Sequence, residues 1–325
     1  MSGLQLIATG GAIPGRTVTN EDLSRMVDTS DEWITSRTGI RTRHWCTADE
    51  SAATLAIAAA KQALQRSGLA PADIACCVCA TLSAPDATPS VACQVQAALG
   101  LPENRPALDV NAACSGFLYG TAVARGLLAT LGGQYALVIG CEALSRLMDP
   151  ADRSTCVLFG DGAGAAVVDG GEGGLMATLL TSQGDATHLN MYPDPGNSPF
   201  ATCRVPARAL HMDGPEIYKF AVSHSVSDLR AVCEKAGVAL DDIDHFLLHQ
   251  ANRRIIDAAR ARLKQPIEKF PMNVEVRGNT SSASVPILLD EVNRAGRLHA
   301  GDKLAMSAFG AGLTTGAGVL TWTKE

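Results

Sequence analysis

Apolar residues along this chain recur in two alternating rhythms. Over 52–67 they fall at helical spacing and stop at Gly68, which predicts a helix. Over 74–81 they form a short unbroken run, which predicts a buried strand. The alternation continues with a helix over 91–99 closed by Gly100, a strand at 107–110, a long helix over 115–131, and strands at 135–140, 155–159 and 163–168. It then repeats: helix 216–236, strand 245–248, helices 252–263 and 285–295, and strands 303–307 and 318–322. Helices between strands imply a largely parallel sheet covered on both faces. The expected organisation is α/β, in two similar halves, 1–170 and 171–325.

The helix over 115–131 mixes Gly116, Gly120, Ala122, Ala124, Gly126 and Ala129 with Phe117, Leu118, Leu127 and Leu128. A helix apolar nearly all round is buried. Glycine inside a helix costs up to about 1 kcal/mol, so close approach of neighbouring helices is expected to compensate. A group at the N-terminal end of such a helix sits deep, reached by a tunnel that suits a long, thin substrate arm.

Composition narrows the classes. With 325 residues, 46% hydrophobic, the chain is long enough for two domains or two halves sharing a core. A net charge of −6 argues against a nucleic-acid binder. No apolar run approaches the roughly 20 residues of a membrane span, and no basic segment precedes the first apolar residues, so a cytoplasmic location without membrane insertion is expected. Ten cysteines raise a metal or disulfide reading. The one C-x-x-C spacing, Cys76 to Cys79, lies in the strand-like run, where alternation sends the two thiols to opposite faces and no second pair completes a site. Most thiols are therefore expected to be free and packed, with no metal and no cofactor.

Cys114 stands apart. Its stretch, Asn111-Ala112-Ala113-Cys114-Ser115-Gly116, puts the sulfur between a strand and a helix. Free N–H groups and the positive dipole end there favour a thiolate, the nucleophilic form. In the second half His249 follows the strand 245–248, and Asn279, in Gly278-Asn279-Thr280, precedes another helix. Strand C-termini are where sites gather in parallel α/β sheets. Gly160-Asp161-Gly162-Ala163-Gly164 is followed by a strand-like run instead of a helix, and reads as a structural turn, not a dinucleotide loop.

These contexts together resemble the thiolase-fold condensing enzymes, most closely the β-ketoacyl-[acyl-carrier-protein] synthase III family. The resemblance runs from Thr9-Gly10-Gly11-Ala12 to Leu320-Thr321-Trp322, through Asp31-Glu32-Trp33-Ile34, Arg37-Thr38-Gly39-Ile40-Arg41, Asp152-Arg153 and Phe309-Gly310-Ala311-Gly312. It implies two βαβαβαββ halves in a layered αβαβα core, the first carrying the nucleophile and the second the His and Asn. It implies a ping-pong reaction in which Cys114 takes an acyl group from acyl-CoA. Malonyl-[acyl-carrier-protein] then loses CO2, and its enolate attacks the acyl-enzyme to give 3-oxoacyl-carrier protein, initiating fatty acid biosynthesis.

The same resemblance implies the supporting residues. His249 and Asn279 would donate to the enolate oxygen, and the N–H groups of Cys114 and Ala311 would form the oxyanion hole. Trp33, Arg37, Arg153, Gly214 and Ala251 would hold CoA or its pantetheine arm. Arg253, Arg254, Arg260, Lys264 and Lys219 would dock the acidic carrier protein. From Arg253 to Lys269 there are six basic and two acidic residues in an acidic chain. Phe309 and Thr88 would wall the acyl pocket, Thr88 across a homodimer interface. Relatives with strict short-chain primers often carry Phe at that position, so Thr88 predicts room for a longer, branched or aromatic primer. Two further readings use the same three residues: a quinolone- or polyketide-type condensing enzyme or acyltransferase, and a cysteine hydrolase. The papain-type Cys signature needed for the latter is absent.

Overall fold

The structure is a computed structural model and describes residues 3–191 and 209–324. Its first elements are β1 (Gln5–Ala12), β2 (Arg16–Thr19), α1 (Asn20–Ser24), α2 (Asp31–Thr38), β3 (Thr42–Trp45), α3 (Ala52–Ser67), β4 (Ile74–Ala80), α4 (Val91–Leu99), β5 (Ala107–Val110), α5 (Gly116–Leu131), β6 (Tyr135–Glu142), α6 (Arg153–Cys156) and β7 (Gly162–Asp169). After these come β8 (Leu175–Asp185), β9 (Leu189–Asn190), β10 (His211–Met212), α7 (Gly214–Ala236), β11 (His245–Leu248), α8 (Arg253–Leu263), α9 (Val274–Arg277), α10 (Ser284–Arg294), β12 (Lys303–Gly310) and β13 (Gly312–Thr321). Local signals set the boundaries. Ser51 accepts from the Thr54 N–H while the Thr54 hydroxyl accepts from the Ser51 N–H, which starts α3, and Gly68 at φ 73 stops it.

The strands sort into two main sheets. One has the order β1-β7-β6-β4-β5 and the other β11-β12-β13-β8. Alternation along the strands then builds five layers. Cys77 and Cys79 of β4, with Leu137 and Ile139 of β6, face outward onto α3 and α4. Cys76 and Val78 face inward, where α5 and α10 bring Phe117, Leu118, Leu288 and Leu289 against Leu304 and Met306 of the second sheet. Phe246, Ala305 and Val319 point out of that second sheet onto Leu229 of α7 and Ile256 and Leu263 of α8. The order is helix, sheet, helix, sheet, helix. Each fully buried Leu or Phe contributes roughly 1.5–3 kcal/mol, so α5 and α10 are clamped from both sides.

Cys76 and Cys79 do face opposite ways. The described cysteines are all free thiols; Cys203 lies outside the described residues. No described helix is long and apolar enough to cross a membrane.

Some expectations need correction. The sheets are mixed, not largely parallel: β4 pairs in parallel with β5 and β6, but β7 runs antiparallel to both β6 and β1. The short link from β12 to β13 can only make an antiparallel hairpin. The run 155–159 is not a strand. Asp152 caps Ser154 N–H and starts the short helix α6, leaving only Phe159 in an isolated bridge to Asn279. The strands β1 and β8 carry no element in the sequence reading. In α5, Gly116 is forced by contact, since a Cβ there would lie 2.9 Å from the Ala80 Cβ, whereas Gly126 faces open space.

Candidate active site

The N-terminal ends of the two middle helices meet at the centre of the molecule, and each is entered by the same kind of turn. In one, Asn111 Oδ1 accepts from the Ala113 N–H (3.1 Å), and Ala113 takes φ 45. Cys114 follows in a 3-10 turn that runs into α5. In the other, Asn279 Oδ1 accepts from the Ser281 N–H (2.9 Å), Ser281 takes φ 49, and a 3-10 turn runs into α10. An asparagine side chain that bonds its own backbone two residues on is what makes the left-handed residue tolerable.

His249 arrives from the second sheet. Its N–H donates to Ser307 O (2.8 Å), which continues the β11–β12 pairing past the end of β11. Its ring meets Phe309 edge-on at 5.1 Å. Gln250 beside it is pinned by Ser284 and by the N–H groups of Asn273 and Val274. Asn279 is held by the loop before β7: its N–H donates to Leu158 O (2.9 Å) and its carbonyl accepts from Gly160 (3.0 Å).

These residues share one cavity of about 740 Å³. Cys114, His249, Asn279, Ser281, Phe309 and Ala311 line its inner end, and Arg37, Gly214, Lys219, Ala251 and Arg254 its outer part. Apolar residues that the sequence reading missed, among them Leu144, Phe159, Leu189, Leu210 and Met212, form much of the remaining wall. They come from short strands, turns and loops scattered along the chain, and no local signal marks them.

The donors point inward. The Asn279 Oδ1 is occupied by Ser281, which leaves its Nδ2 as the group for a ligand. The His249 Nδ1 is buried without a partner. A bare lone pair there costs less than a buried N–H, so the proton belongs on Nε2, toward the cavity. Neither the Cys114 nor the Ala311 N–H is used by another backbone carbonyl among the described residues. Gly310 packs against Cys114, where a Cβ would stand 2.6 Å from the Cys114 nitrogen.

Electrostatics revises one expectation. Burial pushes the Cys114 thiol up to about 12, opposed by a hydrogen bond from the Ser281 hydroxyl and reinforced by Glu142 when that carboxyl is ionised. Burial alone takes His249 down to about 3. The resting pair is a neutral thiol and a neutral imidazole, not a preformed thiolate, because burial disfavours the charged form of each.

Of the remaining predicted residues, Trp33 and Arg153 lie beside the cavity, not in its lining. The guanidinium groups of Arg153 and Arg37 sit 4.9 Å and 5.8 Å from the Trp33 ring centroid. Arg253 packs over Gly39 and pairs with Asp257 (3.5 Å). Arg254 lies 5.7 Å from the Tyr218 ring, and Lys219 pairs with Glu216 (2.6 Å). On α8 the residues Ile255, Ile256, Ala259 and Leu263 are buried, while Arg253 and Arg254 are exposed, Arg260 is half-buried and Lys264 ends the helix, exposed. Thr88 is exposed and stands outside the cavity of its own chain. Among the described residues no cluster of His, Cys, Asp or Glu could hold a metal ion.

Comparison with known proteins gives consistent relatives. Residues 108–184 match the family model 3-Oxoacyl-[acyl-carrier-protein (ACP)] synthase III, and residues 233–322 match its C-terminal counterpart. A Beta-ketoacyl-[acyl-carrier-protein] synthase III of Rhizorhabdus wittichii is 45% identical over 320 residues, 98% of each chain. The crystal structure of 3-oxoacyl-[acyl-carrier-protein] synthase III from Aquifex aeolicus superposes with a TM-score of 0.91 at 41% identity, covering 98% of this chain and 100% of that one. The priming beta-ketosynthase of the R1128 polyketide pathway superposes with a TM-score of 0.92 at 34% identity, covering 99% and 97%.

Proposed function

The chain belongs to the 3-oxoacyl-[acyl-carrier-protein] synthase III family, and from that membership we propose how its own residues divide the work. The protein is a condensing acyltransferase of thiolase fold. It joins an acyl-CoA primer to malonyl-[acyl-carrier-protein], releases CO2 and CoA, and forms the 3-oxoacyl-carrier protein that initiates fatty acid biosynthesis. The observation that carries the residue assignment is the convergence of Cys114, His249, Asn279 and Ala311 on one cavity.

In the first half-reaction the Cys114 sulfur adds to the primer carbonyl, the thioester forms, and the thiol proton leaves with CoA. The carbonyl oxygen becomes negative where the N–H groups of Cys114 and Ala311 can donate. In the second, CO2 departs from the malonyl group, and His249 Nε2–H and Asn279 Nδ2–H receive the charge on the enolate oxygen. The carbanion attacks the acyl carbonyl, the C–S bond to Cys114 breaks, and the thiolate takes up a proton. His249 donates without accepting, which suits an imidazole that burial keeps neutral.

Arg37, Lys219 and Arg254 give the outer cavity a positive lining in an acidic chain, a fit for phosphates and for an acidic carrier protein. With Trp33, Arg153, Gly214 and Ala251 they make the CoA and pantetheine path, and the α8 residues Arg253, Arg260 and Lys264 extend the docking face. The chain works as a cytoplasmic homodimer without a cofactor. Strand β5 ends its sheet with one edge open, which supports a twofold mate there and a Thr88 that reaches that mate's pocket. The primer is longer or bulkier than acetyl. A secondary-metabolite role is favoured by the polyketide-type structural relative, which at 34% identity is less similar in sequence than the Rhizorhabdus wittichii and Aquifex aeolicus synthases at 45% and 41%.

Incubation with a panel of acyl-CoAs, intact mass and then malonyl-carrier protein tests this reading. An adduct that survives Cys114→Ala refutes the nucleophile, and release of the acyl group by water without malonyl consumption would support a hydrolase.

A further inference from the structure

Glu142, the last residue of β6, is fully buried and touches neither cavity nor solvent. Its Oε2 receives the Ser83 hydroxyl (2.5 Å) and the Leu82 N–H (3.2 Å), with the Thr81 hydroxyl at 3.4 Å. Ser83 Oγ already accepts from the Ala143 N–H (2.8 Å), so its single proton is committed to Glu142. On the other side, Oε1 lies 2.7 Å from Ser282 Oγ and 3.2 Å from Ser281 Oγ.

Proton counting points to a neutral carboxyl. Ser282 Oγ is also 2.9 Å from Ala80 O, a carbonyl that can only accept. One hydroxyl proton cannot serve both contacts. If it goes to Ala80 O, the short contact to Oε1 is made by a proton on the carboxyl. Every group is then satisfied, and the Ser281 proton is left over. Ser281 is the residue whose N–H holds Asn279 Oδ1 and whose hydroxyl bonds the Cys114 sulfur.

We infer that Glu142 is a positioning residue held as the neutral acid, which keeps the Ser281 hydroxyl turned to the Cys114 sulfur and the Ser281 N–H on Asn279. Ionisation would add a negative charge near the sulfur and draw the Ser281 proton to Oε1. Both changes oppose the thiolate. Burial moves Glu142 in the required direction, up to about 7. The titratable group coupled to it is Cys114 beyond Ser281; Cys141, next in the chain, turns its sulfur to Cys79 of β4 (3.4 Å). Among the described residues no lysine, arginine or histidine joins its hydrogen bonds.

The inference rests on Cys114 being the acyl carrier, which adduct formation tests separately. The measurement here needs no substrate: the rate of iodoacetamide alkylation of Cys114 against pH, read by peptide mass. In Glu142→Gln the amide NH2 can donate to Ser282 and the carbonyl can accept from Ser83 and Leu82, so the variant copies the neutral acid at every pH. Its alkylation should match wild type at pH 6 and exceed it at pH 9, about tenfold for each unit by which the thiol falls. Ser281→Ala should slow alkylation and, combined with Glu142→Gln, shrink the gain that the latter gives alone. Superimposable profiles for folded wild type and Glu142→Gln would overturn the inference. Should Glu142→Gln fail to fold, the wild type decides. A protonated-carboxyl infrared band at pH 6 that Glu142→Asp shifts supports the inference, and no such band overturns it.

Discussion

Gly310 and Cys114 touch through their backbones, and a Cβ on Gly310 would stand 2.6 Å from the Cys114 nitrogen. Real Cβ atoms do not come so close, so the strand end or the nucleophile turn must move. Gly310→Ala should therefore misplace one of the two oxyanion donors and slow self-acylation by about 10²–10³-fold, the usual effect of losing such a donor. Intact-mass time courses with acyl-CoA would check this, and acylation at the wild-type rate would remove the Cys114 N–H from the mechanism.

The two side-chain donors act on the second half-reaction. Asn279→Asp keeps an oxygen to accept the Ser281 N–H, so the turn should survive while the cavity gains an acceptor in place of a donor. Decarboxylative condensation should fall by about 10²-fold or more, with self-acylation much less affected. His249→Ala should show the same split. Rapid-quench measurement of each half-reaction separates the two, and equal losses in both would contradict the assignment.

Trp33 lies against two guanidinium groups at the side of the entrance. If this cluster grips the CoA nucleotide, Trp33→Ala should raise KM for acyl-CoA roughly fivefold, in line with about 1 kcal/mol for a stacked or cation–π contact. It should leave KM for the matching acyl-pantetheine unchanged. Loss with both substrates would mean that Trp33 serves the fold instead.

Arg254 lies at the outer cavity wall and on the basic helix α8. Arg254→Glu should weaken turnover with malonyl-carrier protein about tenfold and self-acylation by acyl-CoA less, and the defect should shrink with added salt. Steady-state kinetics at two ionic strengths would show it. Equal loss of both activities would count against docking.

Stability should carry the mark of Glu142. Its acid is raised from 4.5 to about 7 in the folded chain. A raised carboxyl stabilises most below its unfolded value, and that contribution fades as pH climbs through the folded one. The change is about 3 kcal/mol over the window from about 4.5 to 7, at roughly 1.4 kcal/mol per unit. Glu142→Gln cannot ionise, so its Tm relative to wild type should rise between pH 5 and pH 8. A constant difference across that range would show that the carboxyl does not titrate there.

What could be read from the sequence depended on how local the cause was. Cys114 and Asn279 announce themselves because their turns are written in adjacent residues, and His249 because it ends a strand. The α3 and α4 boundaries follow from Ser51, Gly68, Ser90 and Gly100 in the same way. Glu142 gave no signal: its partners Ser83 and Ser282 are 59 and 140 positions away. The thiolate expectation at Cys114 failed for a similar reason, since the helix end is local but the burial that raises the thiol comes from the tertiary fold. At 155–159 an apolar, β-branched run concealed the capping of Ser154 by Asp152.

The paired Asn turns have a further consequence. Counting from each asparagine, the fourth residue is Cys114 in one turn and Ser282 in the other. One device has been used twice with opposite aim: the sulfur looks into the cavity, while the oxygen looks back at Ala80 and Glu142. The same geometry thus serves two different ends. In one turn the fourth position presents a reactive atom to the cavity, and in the other it braces the buried network beneath that atom.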